Sequence, residues 1–242
     1  AGFIEHIAKK PVLMDESIGC ITTRVLTDLH NESFNLCRQY NRAPLEIDCI
    51  VEKEGFIMPP FEICDSVGLD IIYNSVSGHY EGKEEFKEFN DFRNFLKENI
   101  ENGNLGKKSG KGFYDYNSDT SDDEQDKTNI PNSIKEKIVE RLKILYVNSC
   151  FKLLDSCLID SCELDRIFCE LNQSQDGPVS IAFEMGIDHI LEKLKEFERD
   201  WGALFKPLKI IEYAGIHHVG REELDRQIRD FKMGGKRPYW CD

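Results

Sequence analysis

Thr23-Arg24-Val25-Leu26-Thr27-Asp28-Leu29-His30-Asn31-Glu32-Ser33-Phe34-Asn35-Leu36 returns 117 residues later as Glu140-Arg141-Leu142-Lys143-Ile144-Leu145-Tyr146-Val147-Asn148-Ser149-Cys150-Phe151-Lys152-Leu153. In this register Arg24 meets Arg141, Asn31 meets Asn148, Phe34 meets Phe151 and Leu36 meets Leu153. Glu46 and Asp48 meet Glu163 and Asp165 without a gap. One inserted residue later, Pro60, Ile63, Gly68 and Asp70 fall on Pro178, Ile181, Gly186 and Asp188. A register kept across a helix-length stretch and the turn after it marks an internal duplication.

Both copies carry apolar residues at helical spacing. In the first, Ile21, Val25, Leu29 and Leu36 form a stripe, with Leu26, Phe34 and Cys37 alongside. Pro44 suits the first turn of a short helix ending near Glu54. Pro59-Pro60 forces an extended entry before Ile63, Val67, Ile71 and Ile72 resume a helical period. Phe86, Phe89, Phe92, Phe95, Leu96 and Ile100 make an aromatic face whose spacing is that of a core, with Gly103 placed to end the helix. In the second copy, Ser133 and Glu136 read as a capping box ahead of Ile138, Leu142, Leu145 and Tyr146. The expected fold is all-α: two tandem related helical units packing their apolar faces about a pseudo-twofold axis, as in an isologous dimer.

The expected boundaries are a first unit over 1–116, an acidic linker over 117–132, a second unit over 133–215 and a helical tail over 216–242. Asn117 to Asn129 has no apolar residue, which predicts a solvated connection. In the tail, Leu224, Ile228 and Phe231 share a helical face that either folds back on its own chain or docks on a partner.

The chain has 242 residues, 40% hydrophobic and 31% charged, the composition of a globular protein. No apolar run approaches the roughly 20 residues needed to span a bilayer. The N-terminus shows neither a signal peptide nor an Arg-rich transit peptide. The net charge of -14 argues against nucleic acid, whose binding rests on neutralising phosphates. It also repels anionic small molecules, which would need a local basic patch: Lys9-Lys10, or Lys107, Lys108 and Lys111. The nine cysteines include no CxxC pair. Cys150, Cys157, Cys162 and Cys169 lie seven, five and seven apart, so they read as free thiols of a reducing compartment and not as a zinc site. No metal site is expected.

Three stretches carry a family resemblance: Lys9-Lys10-Pro11-Val12 leading to Gly19-Cys20-Ile21-Thr22-Thr23-Arg24; Ile47-Asp48 with the Pro60-Phe61 turn; and Leu105-Gly106-Lys107-Lys108-Ser109-Gly110-Lys111-Gly112-Phe113-Tyr114. Together they resemble the C-terminal helical domain of the 3-hydroxyacyl-CoA dehydrogenases. That domain is all-α, of the 6-phosphogluconate-dehydrogenase-like C-terminal type. The second unit, with Phe205-Lys206-Pro207, is similar to the second helical copy of multifunctional fatty acid β-oxidation enzymes.

The resemblance implies an oxidoreductase pathway: oxidation of the 3-hydroxyl of an acyl-CoA with NAD as acceptor. It implies substrate contacts at Thr23, Arg24, Met58, Pro60 and Phe61, and CoA-phosphate contacts at Lys10, Lys107 and Lys108. The family's catalytic His–Glu pair and its NAD cradle belong to a preceding domain. Only 22 residues precede Thr23, and no GxGxxG occurs, so no catalytic residue and no cofactor of its own are expected in this chain. Its expected partner is the NAD-binding domain of a parent enzyme or a larger assembly.

His6, His30, His79, His189 and His217-His218 read as ordinary polar residues, with no carboxylate partner evident from spacing. Asp65 and Asp70 read as surface or capping carboxylates. The lysine-rich turn reads first as a solvated loop needing positive φ at its glycines; Gly103 and Gly106 stand too close for a P-loop. Three departures surround the site: Thr23 for the family's Asn, Cys20 for Phe, and Met58-Pro59 for Met-Gly. A hydroxyl lacks the two-group reach of an amide.

Two functions therefore stand. One is the substrate-side helical portion of a dehydrogenase, opening at Ala1 as a cut through a longer protein would. The other is a non-catalytic homologue serving as a structural or assembly subunit. A stand-alone acyl-CoA binder ranks last because of the charge. The resemblance places the protein in the mitochondrial matrix or peroxisome. Trp240-Cys241-Asp242 is no Ser-Lys-Leu address and does not decide between them.

Overall fold

The computed structural model describes residues 21–117, 130–155, 157, 159–236 and 238–241. Lys9, Lys10, His6, Cys20 and most of the expected linker lie outside the described residues.

Eleven α-helices are present among them: α1 Ile21–Tyr40, α2 Pro44–Glu54, α3 Pro60–Val67, α4 Leu69–Tyr80, α5 Asn90–Glu101, α6 Asn132–Asp155, α7 Ser161–Asn172, α8 Pro178–Met185, α9 Ile187–Trp201, α10 Lys209–Ile216 and α11 Arg221–Lys232. Extended pairing among the described residues is limited to isolated bridges at Gly106–Lys111 and Lys111–Asp115. The chain is all-α.

The duplication is visible helix by helix. α1 and α6 are the long first helices of the two units. α3 and α8 begin on Pro60 and Pro178, and both end at a glycine, Gly68 and Gly186, with φ of 107° and 88°. The inserted residue lies within α7, which has 12 residues against the 11 of its counterpart α2. Beyond it, Gly55 and Gln173 both close their helices in the left-handed conformation.

α1 and α6 form the main contact between the units. Higher-numbered residues of α6 meet lower-numbered residues of α1: Arg141 reaches Glu32 and Gln39, while Ser149 and Lys152 reach Asp28. The helices therefore run in opposite senses, as a twofold relation between copies requires. Val25, Leu29, Leu36, Leu142, Leu145 and Tyr146 are all buried there. These members of the two long-helix stripes lie in the core.

One expectation needs correction, and one alternative is decided. Val67 and Ile71 are exposed, 41% and 52%, because the break at Gly68 turns α4 away from the line of α3. The tail's apolar face folds back on its own chain: Leu224 and Ile228 are buried, and the Asp225 carboxylate accepts from the Ser161 N–H at 2.9 Å and its hydroxyl at 2.6 Å. Trp240 is buried against Tyr213. No helix among the described residues is long and apolar enough to cross a membrane.

Candidate functional site

The first unit's signature residues converge on two carboxylates. Asp48, on α2, faces the start of α3 and accepts the N–H groups of Phe61 and Glu62 at 3.0 and 2.9 Å. Pro60 has no N–H to give, so Asp48 takes the first free donors of the helix, where its negative charge also suits the macrodipole. The Tyr114 hydroxyl donates to the same carboxylate at 2.7 Å. Burial raises the Asp48 pKa to about 6, against the pull of these three donors.

Asp65, one turn further along α3, receives the Phe113 N–H at 2.9 Å, the Tyr114 N–H at 3.0 Å and the Tyr116 hydroxyl at 3.0 Å. It is fully buried, which corrects its expected surface position. The stretch Leu105–Tyr116 thus becomes a strap bound down on α3. Its glycines answer to this closeness. A Cβ at Gly106, whose φ is 91°, would lie 2.3 Å from the Asp65 carbonyl oxygen, and one at Gly112 would lie 2.1 Å from the Asp65 carboxylate. The Ser109 hydroxyl closes the turn by accepting the Leu105 N–H at 2.6 Å.

The expected ligand-binding residues divide by burial. Pro60 and Phe61 lie in the core, with Phe61 packed on Phe113 at 4.6 Å between ring centroids; they shape the strap from beneath. Met58 is half-buried. Thr23 and Arg24 are half-buried at the start of α1, where the Thr23 carbonyl accepts the Thr27 hydroxyl at 2.8 Å. No hydrogen bond joins them to Met58, Pro60 or Phe61 among the described residues. Lys107 pairs with Glu62 at 3.0 Å and Lys108 with Asp70 at 2.5 Å, all four side chains substantially exposed. Such pairs contribute about 0–1 kcal/mol, so both ammonium groups remain at the surface and can exchange partners.

The second unit reuses half of this plan. Asp165, the counterpart of Asp48, accepts the Val179 N–H at 2.7 Å and the Ser180 hydroxyl at 2.7 Å. In place of a glycine strap it has Arg221 of α11, at 3.1 Å.

Between the units lie groups that sequence spacing did not reveal. Arg141 pairs with Glu32, both buried, and its guanidinium sits 3.4 Å over the Trp201 ring. Burial pushes Glu32 up to about 7 although Arg141 pulls it down. Asp28, buried, takes the hydroxyls of Ser149 and Tyr80 and the Lys152 ammonium. Burial lowers the His30 pKa to about 4. Glu88 crosses from the first unit to accept the Ala203 and Leu204 N–H groups at 2.6 and 2.8 Å.

Two histidines do have carboxylate partners, Glu140 for His189 at 3.1 Å and Asp188 for His218 at 2.9 Å. Their partners come from other elements, so spacing could not show them, and both pairs are largely solvent-exposed.

The strap does not fit a dinucleotide phosphate: the N–H groups of Phe113 and Tyr114 are already given to Asp65. A groove of about 590 Å³ between the units has Phe56, Ile181 and Met185 beside Glu54, Asp176 and Glu184, with Lys143 as its cation. Three carboxylates to one ammonium make it unsuited to an anionic ligand.

The fold and the strap define a class: a duplicated, all-helical domain whose first copy is closed by a glycine-rich band. The chain resembles the C-terminal helical domain of the 3-hydroxyacyl-CoA dehydrogenases, and residues 19–116 match the model of the family "3-hydroxyacyl-CoA dehydrogenase, C-terminal domain". The fatty acid oxidation complex subunit alpha of a Psychrobacter species is 26% identical over 229 residues, covering 87% of this chain and 31% of the relative. The human peroxisomal bifunctional enzyme is 26% identical over 222 residues, covering 81% and 31%. The chain thus spans about a third of the length of these relatives. In fold, it superposes on 3-hydroxybutyryl-CoA dehydrogenase from Escherichia coli K12 with a TM-score of 0.69 at 16% identity, covering 89% of this chain and 63% of the other.

Proposed function

We propose that this chain is the substrate-side helical portion of an NAD-dependent 3-hydroxyacyl-CoA dehydrogenase of fatty acid β-oxidation, working against a nucleotide-binding domain. The observation that carries the reading is the match of residues 19–116 to the family's C-terminal domain, together with the folded strap. In this role the start of α1 offers the Thr23 hydroxyl and Arg24 guanidinium to the cleft shared with the partner domain. Lys107 and Lys108 offer surface cations to the CoA phosphates. Asp48, Asp65 and Phe61 hold the strap, and through it these lysines, in place. NAD would be carried by the partner domain. The division proposed with this reading is a first unit over 1–116, a linker over 117–132, a second unit over 133–215 and a tail over 216–242. Peroxisomal and bacterial relatives support a pathway in lipid metabolism, and the reading takes the peroxisome or mitochondrial matrix as the protein's location.

Calorimetry tests this directly. The chain alone should take up a 3-hydroxyacyl-CoA weakly and NAD not at all. Saturable NAD binding by residues 1–242 defeats the reading. Thr23 favours a second one, a non-catalytic homologue kept as a structural subunit. The two separate on the native protein: a mass well above the 28.0 kDa of this chain, with dehydrogenase turnover, supports the enzyme, and a complex without turnover supports the subunit.

A further inference from the structure

The duplication lets the two ends of the α1–α6 contact be compared residue by residue. At one end Arg141 of α6 crosses to Glu32 of α1, and Trp201, at the end of α9, covers the guanidinium. The twofold relation carries Arg141 to Arg24 and Glu32 to Ser149. It also carries Asn35, which supports Glu32, to Lys152. In the register that pairs α4 with α9, Trp201 falls on Lys83. The second arginine therefore meets a hydroxyl where its mate meets a carboxylate, and two lysines where its mate has an amide and an indole.

These cations gather around Asp28. Arg24 lies one turn before it on the same face of α1. The Lys152 ammonium is 3.3 Å from the Asp28 carboxylate. Lys83 Nζ stands 5.4 Å over the ring of Tyr80, whose hydroxyl donates to that carboxylate. Asp28 is fully buried and already engaged by Tyr80, Ser149 and Lys152, so it offsets one cation and leaves two. Among the described residues, Arg24 and Lys83 form no ion pair. Desolvation and then the neighbouring Arg24 lower the Lys83 pKa, in spite of Glu85 and Asp28, as crowded cations short of counter-charge require. The surplus stands in a chain whose net charge is -14. A ligand can reach it: Lys83 is exposed, Arg24 is half-buried and the Lys152 side chain is 26% exposed.

We propose that Arg24, Lys83 and Lys152 form a binding site for a phosphate group, a tetrahedral dianion whose charge matches the two cations that Asp28 leaves over. The phosphate serves Arg24 as the Glu32 carboxylate serves Arg141. Its oxygens accept from the guanidinium and from the two ammonium groups in charge-assisted hydrogen bonds. The proposal is independent of the dehydrogenase reading, because it rests on the twofold comparison and on the local charge.

The probe is inorganic phosphate, titrated at pH 7.5 into the ¹⁵N-labelled full chain against sodium chloride of equal ionic strength. Backbone resonances around Arg24 and Lys83 should shift saturably with phosphate and not with chloride. Lys83→Gln, at an exposed position, should keep its thermal midpoint and bind phosphate about fivefold or more weaker, the loss of one charge-assisted contact. Arg24→Gln should weaken binding by at least as much. Lys107→Gln and Lys108→Gln, in the strap, should bind phosphate as the wild type does. Coenzyme A added to the phosphate-loaded chain separates two sources of the group: displacement assigns it to a phosphate of the coenzyme, and retention assigns it to free phosphate. Equal response to phosphate and chloride, unchanged affinity in Lys83→Gln, or loss of binding in the strap variants alone would each overturn the proposal.

Discussion

Replacing Arg141 by Met tests how the two units are joined. Arg141 and Glu32 have side chains only 4% and 1% exposed, and the guanidinium also covers Trp201. Methionine fills much of the same volume but leaves the Glu32 carboxylate buried without its cation. Breaking one side of a buried pair costs about 3–5 kcal/mol. The cost should depend on pH in a defined way. Glu32 already has a folded pKa of about 7, raised above its usual value, so its ionised form destabilises the fold, and wild-type stability falls as pH rises through the window up to about 7. Without Arg141 that pKa climbs further, so between pH 7 and 8.5 the variant keeps losing about 1.4 kcal/mol per unit while the wild type has levelled. The penalty relative to wild type should therefore be about 2 kcal/mol larger at pH 8.5 than at pH 6.5. Urea unfolding followed by circular dichroism at the two pH values measures it. Glu32→Gln combined with Arg141→Met should remove the pH dependence. A penalty of the same size at both pH values would refute the buried-pair account.

Other expectations follow from the same contacts. Gly112→Ala should destabilise the chain by about 1–3 kcal/mol, the usual cost of overpacking, because its Cβ meets the Asp65 carboxylate; a lowered thermal midpoint with early proteolysis within 105–116 would show it. Asp48→Ala and Asp165→Ala each strand two N–H groups at a helix start, with an expected loss of about 1–3 kcal/mol each by chemical denaturation. Deleting everything after Val219 should uncover the faces under Leu224 and Ile228 and lower the midpoint clearly; an unchanged midpoint would mean the tail is not docked.

Much of the fold was legible because its signals are local. Pro44, Pro60 and Pro178 mark helix starts by their missing N–H, and the repeated register of Arg24–Leu36 identified the two long helices that pack together. What stayed hidden depends on distant partners. Asp65 reads as a surface carboxylate until the strap, 48 residues onward, folds over it. Asp28 and Glu32 look like the solvated face of α1, but their partners Ser149 and Arg141 come from the other copy, more than a hundred residues away. Val67 and Ile71 continue the helical period on paper, but the turn at Gly68 breaks its phase. The strap's glycines were readable as turn residues, whereas their reason, the close approach of α3, was not.

Glu88 has a consequence for how the molecule comes into being. During synthesis it emerges long before Ala203 and Leu204, the amides it grips. Until α6 arrives, Asp28 and Glu32 of α1 lack Ser149, Lys152 and Arg141. The grip of Glu88 on these amides therefore cannot form until the chain has been made past Leu204, so the closing of one copy on the other comes after the leading copy is complete.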